Sequence, residues 1–163
     1  MDITNLIDAD RVITSLRVSD KQQLLTELAR RAARRLGIDT QAILGALVAR
    51  EELGSTGLGQ GIAIPHARID SLNSFFGLFA RLERPIDFAA VDERPVDLVF
   101  LLLMPADAGN AHLAALSSIS RRLRDRAVAE RLRVADEPAA LYEILAGTQR
   151  RPVYESLSQK ASL

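Results

Sequence analysis

From Val96 to Met104 the sequence is apolar at every position but Asp97, and Pro105 closes the run. Such a stretch is far too short for a membrane span, which needs about 18 or more apolar residues. It reads instead as a strand buried on both faces of its sheet. That one strand constrains the whole fold, because both faces of its sheet then need cover. The remaining segments supply helices, then strands, then helices. The chain is therefore expected to form a single-domain α/β (α+β) layered fold.

Three further segments read as strands: Val12 to Val18, rich in β-branched residues, Phe75 to Leu82, and Ile62-Ala63-Ile64, which Pro65 stops. Ser19 and Gln22 have capping-box spacing, which predicts a helix reaching about Leu36 with Leu25, Leu28, Ala32 and Leu36 inward and Gly37 as its stop. Thr40 is placed to cap a second helix whose apolar face is Ile43, Leu44, Leu47 and Val48, with Arg50 and Glu51 near its end. Asn110 heads a long helix from Ala111 to about Asp125, with Leu113, Leu116, Ile119 and Leu123 inward. Shorter helices cover Ala127 to Val134 and Glu137 to Ala146. From Gly147 the periodicity fades, so 147–163 reads as a flexible tail.

Composition narrows the partners. Lys+Arg and Asp+Glu are both 21 in 163 residues, so no net charge draws the molecule to nucleic acid or lipid. The pairs Arg30-Arg31, Arg34-Arg35 and Arg121-Arg122 fall on amphipathic helices and read as solvated faces. Cysteine is absent, which excludes disulfides, thiolate metal sites and cysteine nucleophiles. The N-terminus has no apolar signal region, so the expected location is the cytoplasm, without membrane insertion.

Four of the nine glycines lie in Gly54-Ser-Thr-Gly-Leu-Gly-Gln-Gly61, a density that demands a particular backbone path. His66 follows it, after Ile62-Ala-Ile-Pro65. Exposed N–H groups at Gly57, Gly59 and Gly61 read as a cradle for an anion facing that imidazole. His112, the second of two histidines, stands in the first turn of the long helix, where free N–H groups welcome phosphate oxygens. The standard nucleotide motifs fail. Gly54-x4-Gly59 is followed by Gln60 rather than a P-loop lysine. A dinucleotide fingerprint needs its strand before the glycines, whereas here a helix precedes them. Gly-x-Ser-x-Gly is absent. A metal hydrolase using both histidines with Asp70 or Asp107 stays open by counting alone, but no His-Glu-x-x-His helix gives it geometry. No metal and no cofactor are expected.

A glycine cradle beside one histidine, a second histidine at a helix start and no nucleotide motif point to phosphoryl transfer through histidine. A neutral imidazole attacks phosphorus without prior deprotonation, and the phosphohistidine is reactive enough to pass the group on. The protein's task is then positioning and hydrogen-bond donation to the equatorial oxygens, for which His112, Arg50 and the loop N–H groups are suited.

The segment Gly54-Ser-Thr-Gly-Leu-Gly-Gln-Gly-Ile-Ala-Ile-Pro-His-Ala-Arg68 closely resembles the active-site segment of enzyme IIA domains in the fructose–mannitol family of the phosphoenolpyruvate phosphotransferase system. The resemblance continues through Arg50-Glu51, Pro95-Val-Asp-Leu-Val-Phe-Leu-Leu-Leu-Met-Pro105 and His112-Leu-Ala-Ala-Leu-Ser117, covering about 5–146. Gly54-Ser-Thr-Gly57 and the Pro-Val-Asp-Leu strand look most like the free-standing nitrogen-regulatory members. The resemblance implies a mixed β-sheet flanked by helices on both sides. It implies that His66 accepts a phosphoryl group from an HPr-type carrier, with His112 as the second active-site histidine and Arg50 as the active-site arginine. It also implies regulatory targets of the potassium-transporter or sensor-kinase kind, chosen by phosphorylation state. Gln60 departs from the family's usual Asn or Glu, and Ala67 from its usual glycine; Ala67 requires only a negative φ. Two other readings remain: a sugar-transport IIA passing phosphate to a separate IIB component, and a binding module that keeps the fold without being phosphorylated.

Overall fold

A computed structural model describes residues 1–147 of the chain. The expected tail, apart from Gly147 itself, lies outside them. The apolar run forms β6 (Val96–Pro105), the centre of a six-stranded mixed sheet. On one side β5 (Phe76–Ile86) runs antiparallel to β6, and β1 (Val12–Leu16) lies parallel beyond it. On the other side β3 (Ile62–Ala63) and then β4 (His66–Ile69) line up along β6, both parallel to it. β2 (Gly57–Gly59) pairs antiparallel with β3.

Alternation along β6 builds two cores at once. Val99, Leu101 and Leu103 face the layer of α1 (Lys21–Leu36) and α2 (Thr40–Glu52). Leu98, Phe100, Leu102 and Met104 face α3 (Ala111–Arg124), α4 (Arg126–Val134) and α5 (Pro138–Ala146). Helices therefore cover both faces, as the continuous apolar run requires. Phe100 pairs across the sheet with Phe79, and both are fully buried. Truncating either ring to alanine costs about 3–5 kcal/mol. Among the described residues no helix is long and apolar enough to cross a membrane.

Several local expectations change. Asp20, not Ser19, caps α1: its carboxylate accepts from the Gln23 N–H at 2.7 Å. Ser19 instead donates its own N–H to the Gln23 side chain. Leu24, Ala29 and Ala33 join the buried stripe of α1, while Leu36 is only half-buried. Asp39 rather than Thr40 occupies the cap position of α2, Leu44 is half-buried and Val48 is exposed. Asn110 holds the cap position of α3 without a side-chain capping bond. In α3 the buried row is Ala115, Ile119 and Leu123, and Leu113 is 59% exposed. At 3.6 residues per turn, the six-residue step from Leu113 to Ile119 leaves the two about 120° apart around the helix. Arg122 is no solvated cation, because it donates to the Ile144 and Leu145 carbonyls at the end of α5. Pro65 does not end pairing along β6. It marks a break after which β4 resumes, so His66 opens a strand rather than trailing one.

Candidate functional site

The break between β3 and β4 holds the first histidine. Thr56 O accepts from the Ile64 N–H at 3.1 Å, and Pro65 O accepts from the Leu102 N–H at 3.0 Å, so both flanks of the break are tied down. His66 Nδ1–H donates to Ile64 O at 2.7 Å. That bond fixes the tautomer: Nδ1 carries the proton, and Nε2 keeps a lone pair. Arg50, in the last turn of α2, donates Nε–H to His66 Nε2 at 3.3 Å and Nη1–H to Gly54 O at 2.8 Å. Burial pushes the His66 pKa below its ordinary 6.5. The Ile64 carbonyl opposes this, Arg50 reinforces it, and the weaker influences of Glu51 and His112 act in opposite senses. The half-buried ring is therefore neutral near pH 7.

A cleft of about 310 Å³ opens on this ring, with Arg50, Leu58 and His66 on one side and Leu116, Ser117 and Ser120 of α3 on the other. His112 does not line it but stands one helical turn before Leu116, at the second position of α3. Its Nδ1 lies against Gly109 O and, at 3.2 Å, against Arg68 Nη2. One nitrogen cannot donate to the carbonyl and accept from the guanidinium at once. Donating to Gly109 O leaves Nε2 bare, whereas accepting from Arg68 leaves the proton on Nε2. Arg68, on β4, is held by the Ala106 carbonyl at 3.0 Å and ties β4 to the start of α3.

The structure brings Arg50 to His66, but it does not set the three glycines along that cleft. A Cβ on Gly57 would sit 2.7 Å from Ala90 Cβ, Gly59 abuts Asp92, and Gly61 abuts Arg133 and Asp97. Gln60 and Gly61 both have positive φ, 58° and 81°, the requirement of a two-residue type I′ hairpin joining β2 to β3. The glycines thus answer to a tight turn and close packing, and the hairpin carries Leu58 to the cleft. Ala67 lies in β4 and is not among the residues with positive φ.

A second set of side chains escaped the sequence reading. Glu51, whose side chain is only 6% exposed, takes Lys21 Nζ at 2.7 Å, the Thr56 N–H at 3.2 Å and the Thr56 hydroxyl. Lys21 also sits over the Phe88 ring, 4.3 Å from its centroid. The available signal was a carboxylate in the last turn of a helix, against the macrodipole. Among the described residues no three His, Asp or Glu side chains gather as a metal would need.

These features define a histidine-centred site on a mixed sheet sandwiched between helical layers. The family model "Phosphoenolpyruvate-dependent sugar phosphotransferase system, EIIA 2" matches residues 5–147, and the chain belongs to that family. It is 48% identical over 146 residues to a "Nitrogen regulatory protein" of Bradyrhizobium diazoefficiens, covering 90% of this chain and 95% of the relative. The crystal structure of nitrogen regulatory protein IIA-Ntr from Neisseria meningitidis superposes with a TM-score of 0.83 at 33% identity, covering 88% of this chain and 98% of that one. A fructose-specific EIIA component of Haloferax volcanii is 42% identical over 108 residues, covering 66% of this chain and 70% of the relative. The function is accordingly of the phosphotransferase-system IIA type.

Proposed function

We propose that the chain is a regulatory phosphocarrier: His66 takes a phosphoryl group from an HPr-type phosphohistidine carrier, and the loaded or empty state selects which partner protein it binds. The observation that carries this reading is the Ile64 O to His66 Nδ1 bond at 2.7 Å, which leaves the Nε2 lone pair as the nucleophile. Nε2 attacks phosphorus as the donor's phosphorus–nitrogen bond breaks, so the donor imidazole leaves with its electron pair and no proton need move first. Burial favours this, since it keeps the ring neutral.

Arg50 already lies against Nε2 and turns its guanidinium to the phosphoryl oxygens once the group arrives. His112 supplies a further donor from the first turn of α3, in the tautomer whose Nδ1 accepts from Arg68 and whose Nε2 carries the proton, and the helix N-terminus there also favours negative charge. Leu58 and Leu116 line the cleft, and Leu53, just past α2, and Leu113, on α3, are exposed, an apolar character suited to protein docking. A doubly charged group at that rim repels or unseats any partner that buries it. Regulatory targets of the potassium-transporter or sensor-kinase kind fit such a switch.

The test is the intact mass of wild type and His66→Ala after incubation with phosphoenolpyruvate, enzyme I and an HPr-type carrier. One acid-labile phosphoryl, absent from His66→Ala, is expected. No added mass, with the same donors charging a known acceptor and a cognate carrier also tried, overturns the reading in favour of a binding module. The fructose-specific relative supports a second reading, in which the phosphoryl passes to the cysteine of a separate IIB component. Rapid and complete transfer to a purified fructose-type IIB would establish that route.

A further inference from the structure

The position of Glu51 is energetically awkward. A carboxylate in the last turn of α2 opposes the helix dipole, and its side chain is almost wholly withdrawn from water. The site meets that cost with Lys21 at 2.7 Å and with two donors from Thr56, its N–H at 3.2 Å and its hydroxyl. Thr56 is the one buried polar residue among those described. Its carbonyl in turn accepts the Ile64 N–H at 3.1 Å, and the Ile64 carbonyl accepts His66 Nδ1–H at 2.7 Å. A line of hydrogen bonds thus runs from Glu51 through the backbones of Thr56 and Ile64 to the imidazole.

A second line leaves the same helix turn. Arg50, the neighbour of Glu51, reaches Gly54 O and His66 Nε2. Glu51 fixes both ends of the short 54–56 segment, its backbone carbonyl accepting the Gly54 N–H at 3.1 Å and its carboxylate holding Thr56.

We propose that Glu51 is a positioning residue for His66: by clamping Thr56 it sets the Ile64 carbonyl that locks the Nδ1–H tautomer and the Gly54 carbonyl that aims Arg50. This rests on the phosphocarrier reading for its consequence, but the tautomer itself is a property of the unphosphorylated protein. Thr56 and Ile64 each make both of their bonds from one short stretch of backbone, so a shift of Thr56 moves the carbonyl that holds Ile64 and, through it, the carbonyl that holds the ring. Loss of alignment at a reacting atom costs up to about a hundredfold in rate.

The test compares wild type with Glu51→Gln, Thr56→Val and Thr56→Ser. The readouts are histidine ring ¹⁵N shifts near neutral pH, with no phosphate present, and the rate of phosphoryl transfer from an HPr-type carrier. Wild type is expected to show a protonated Nδ1 and a bare Nε2 at His66. Glu51→Gln is expected to mix the two tautomers and slow transfer by roughly tenfold to a hundredfold. Thr56→Val, which keeps the side-chain shape and loses the hydroxyl, should move both readouts the same way by less, and Thr56→Ser should restore them. A folded Glu51→Gln protein with the wild-type ring pattern and rate overturns the proposal. Should Glu51→Gln fail to fold, an unchanged ring pattern and rate in Thr56→Val overturn it instead. A wild type that takes no phosphoryl sinks the phosphocarrier reading alone, and the ring shifts still decide the role of Glu51.

Discussion

The two histidines of this chain occupy opposite kinds of ground. His66 opens a strand at a break in pairing along β6, with its Nδ1 on a backbone carbonyl and its Nε2 against Arg50. His112 stands at the start of α3, with its Nδ1 on the carbonyl of Gly109 and the Arg68 guanidinium beside it. His66 lines the cleft and its Nε2 keeps a lone pair, whereas His112 stands a turn of α3 away from the cleft lining. On the proposed phosphocarrier reading, the half-buried ring in its sheet-backed seat is the nucleophile, and the ring at a helix end is the donor.

The difference can be broken or sharpened by substitution. The largest effect is expected from His66→Ala, which should abolish phosphoryl uptake by intact mass, whereas His112→Ala should retain it. Arg50→Ala should follow, since it removes a charge-assisted donor worth about 1.5–3 kcal/mol, a loss of roughly tenfold to a hundredfold in the transfer rate from a carrier. Arg50→Lys should recover only part, because a lysine cannot bridge Gly54 O and the phosphoryl with a planar fork. His112→Gln should cost least, about twofold to tenfold, as expected for one neutral hydrogen bond. Equal losses in Arg50→Ala and His112→Gln, measured by stopped transfer assays, would erase the asymmetry.

Acidity sharpens the contrast further. The His66 pKa is lowered in the folded protein, so the unfolded chain binds the extra proton first as pH falls. The contribution of His66 is therefore fully present above the unfolded value of about 6.5 and is lost as pH drops through that value toward the folded one. Denaturant melts from pH 7.5 to 5 should show wild type losing more stability than His66→Ala. The uptake rate should likewise hold at pH 6.5 and fall only below the lowered pKa.

Much of this layout was legible in the sequence, for physical reasons that differ by element. β6 was read almost to the residue because a strand buried on both faces has no polar alternation to blur it. α1 and α2 followed from helical spacing, but their caps differ, where Asp20 and Ser19 offer competing oxygens, and so do the edges of their buried faces, where Leu36 and Leu44 are half-buried and Val48 is exposed. β4 was invisible, since four residues beginning after a proline carry no period, and only β6 beside them makes them a strand. Arg50 was offered as a phosphoryl donor on chemical grounds and again by family resemblance, but its direct contact with His66 is tertiary, because sixteen residues of separation in sequence imply no contact. The glycines were read as a phosphate cradle, whereas their immediate neighbours are those of a hairpin, a turn chemistry that Gln60-Gly61 encodes less plainly than Asn-Gly would. Glu51 and Thr56 went unread because their roles are set by tertiary packing around residue 56.

The most direct test is the ring position of the phosphoryl group. Wild-type protein with ¹⁵N-labelled histidine, charged through an HPr-type carrier, can be read by ³¹P–¹⁵N coupling at alkaline pH, where phosphohistidine persists. The geometry requires phosphorus on Nε2 of His66, with Nδ1 still protonated and bonded to Ile64 O. Phosphorus on Nδ1 of His66, or on His112 in a protein whose His66 stays bare, would contradict it.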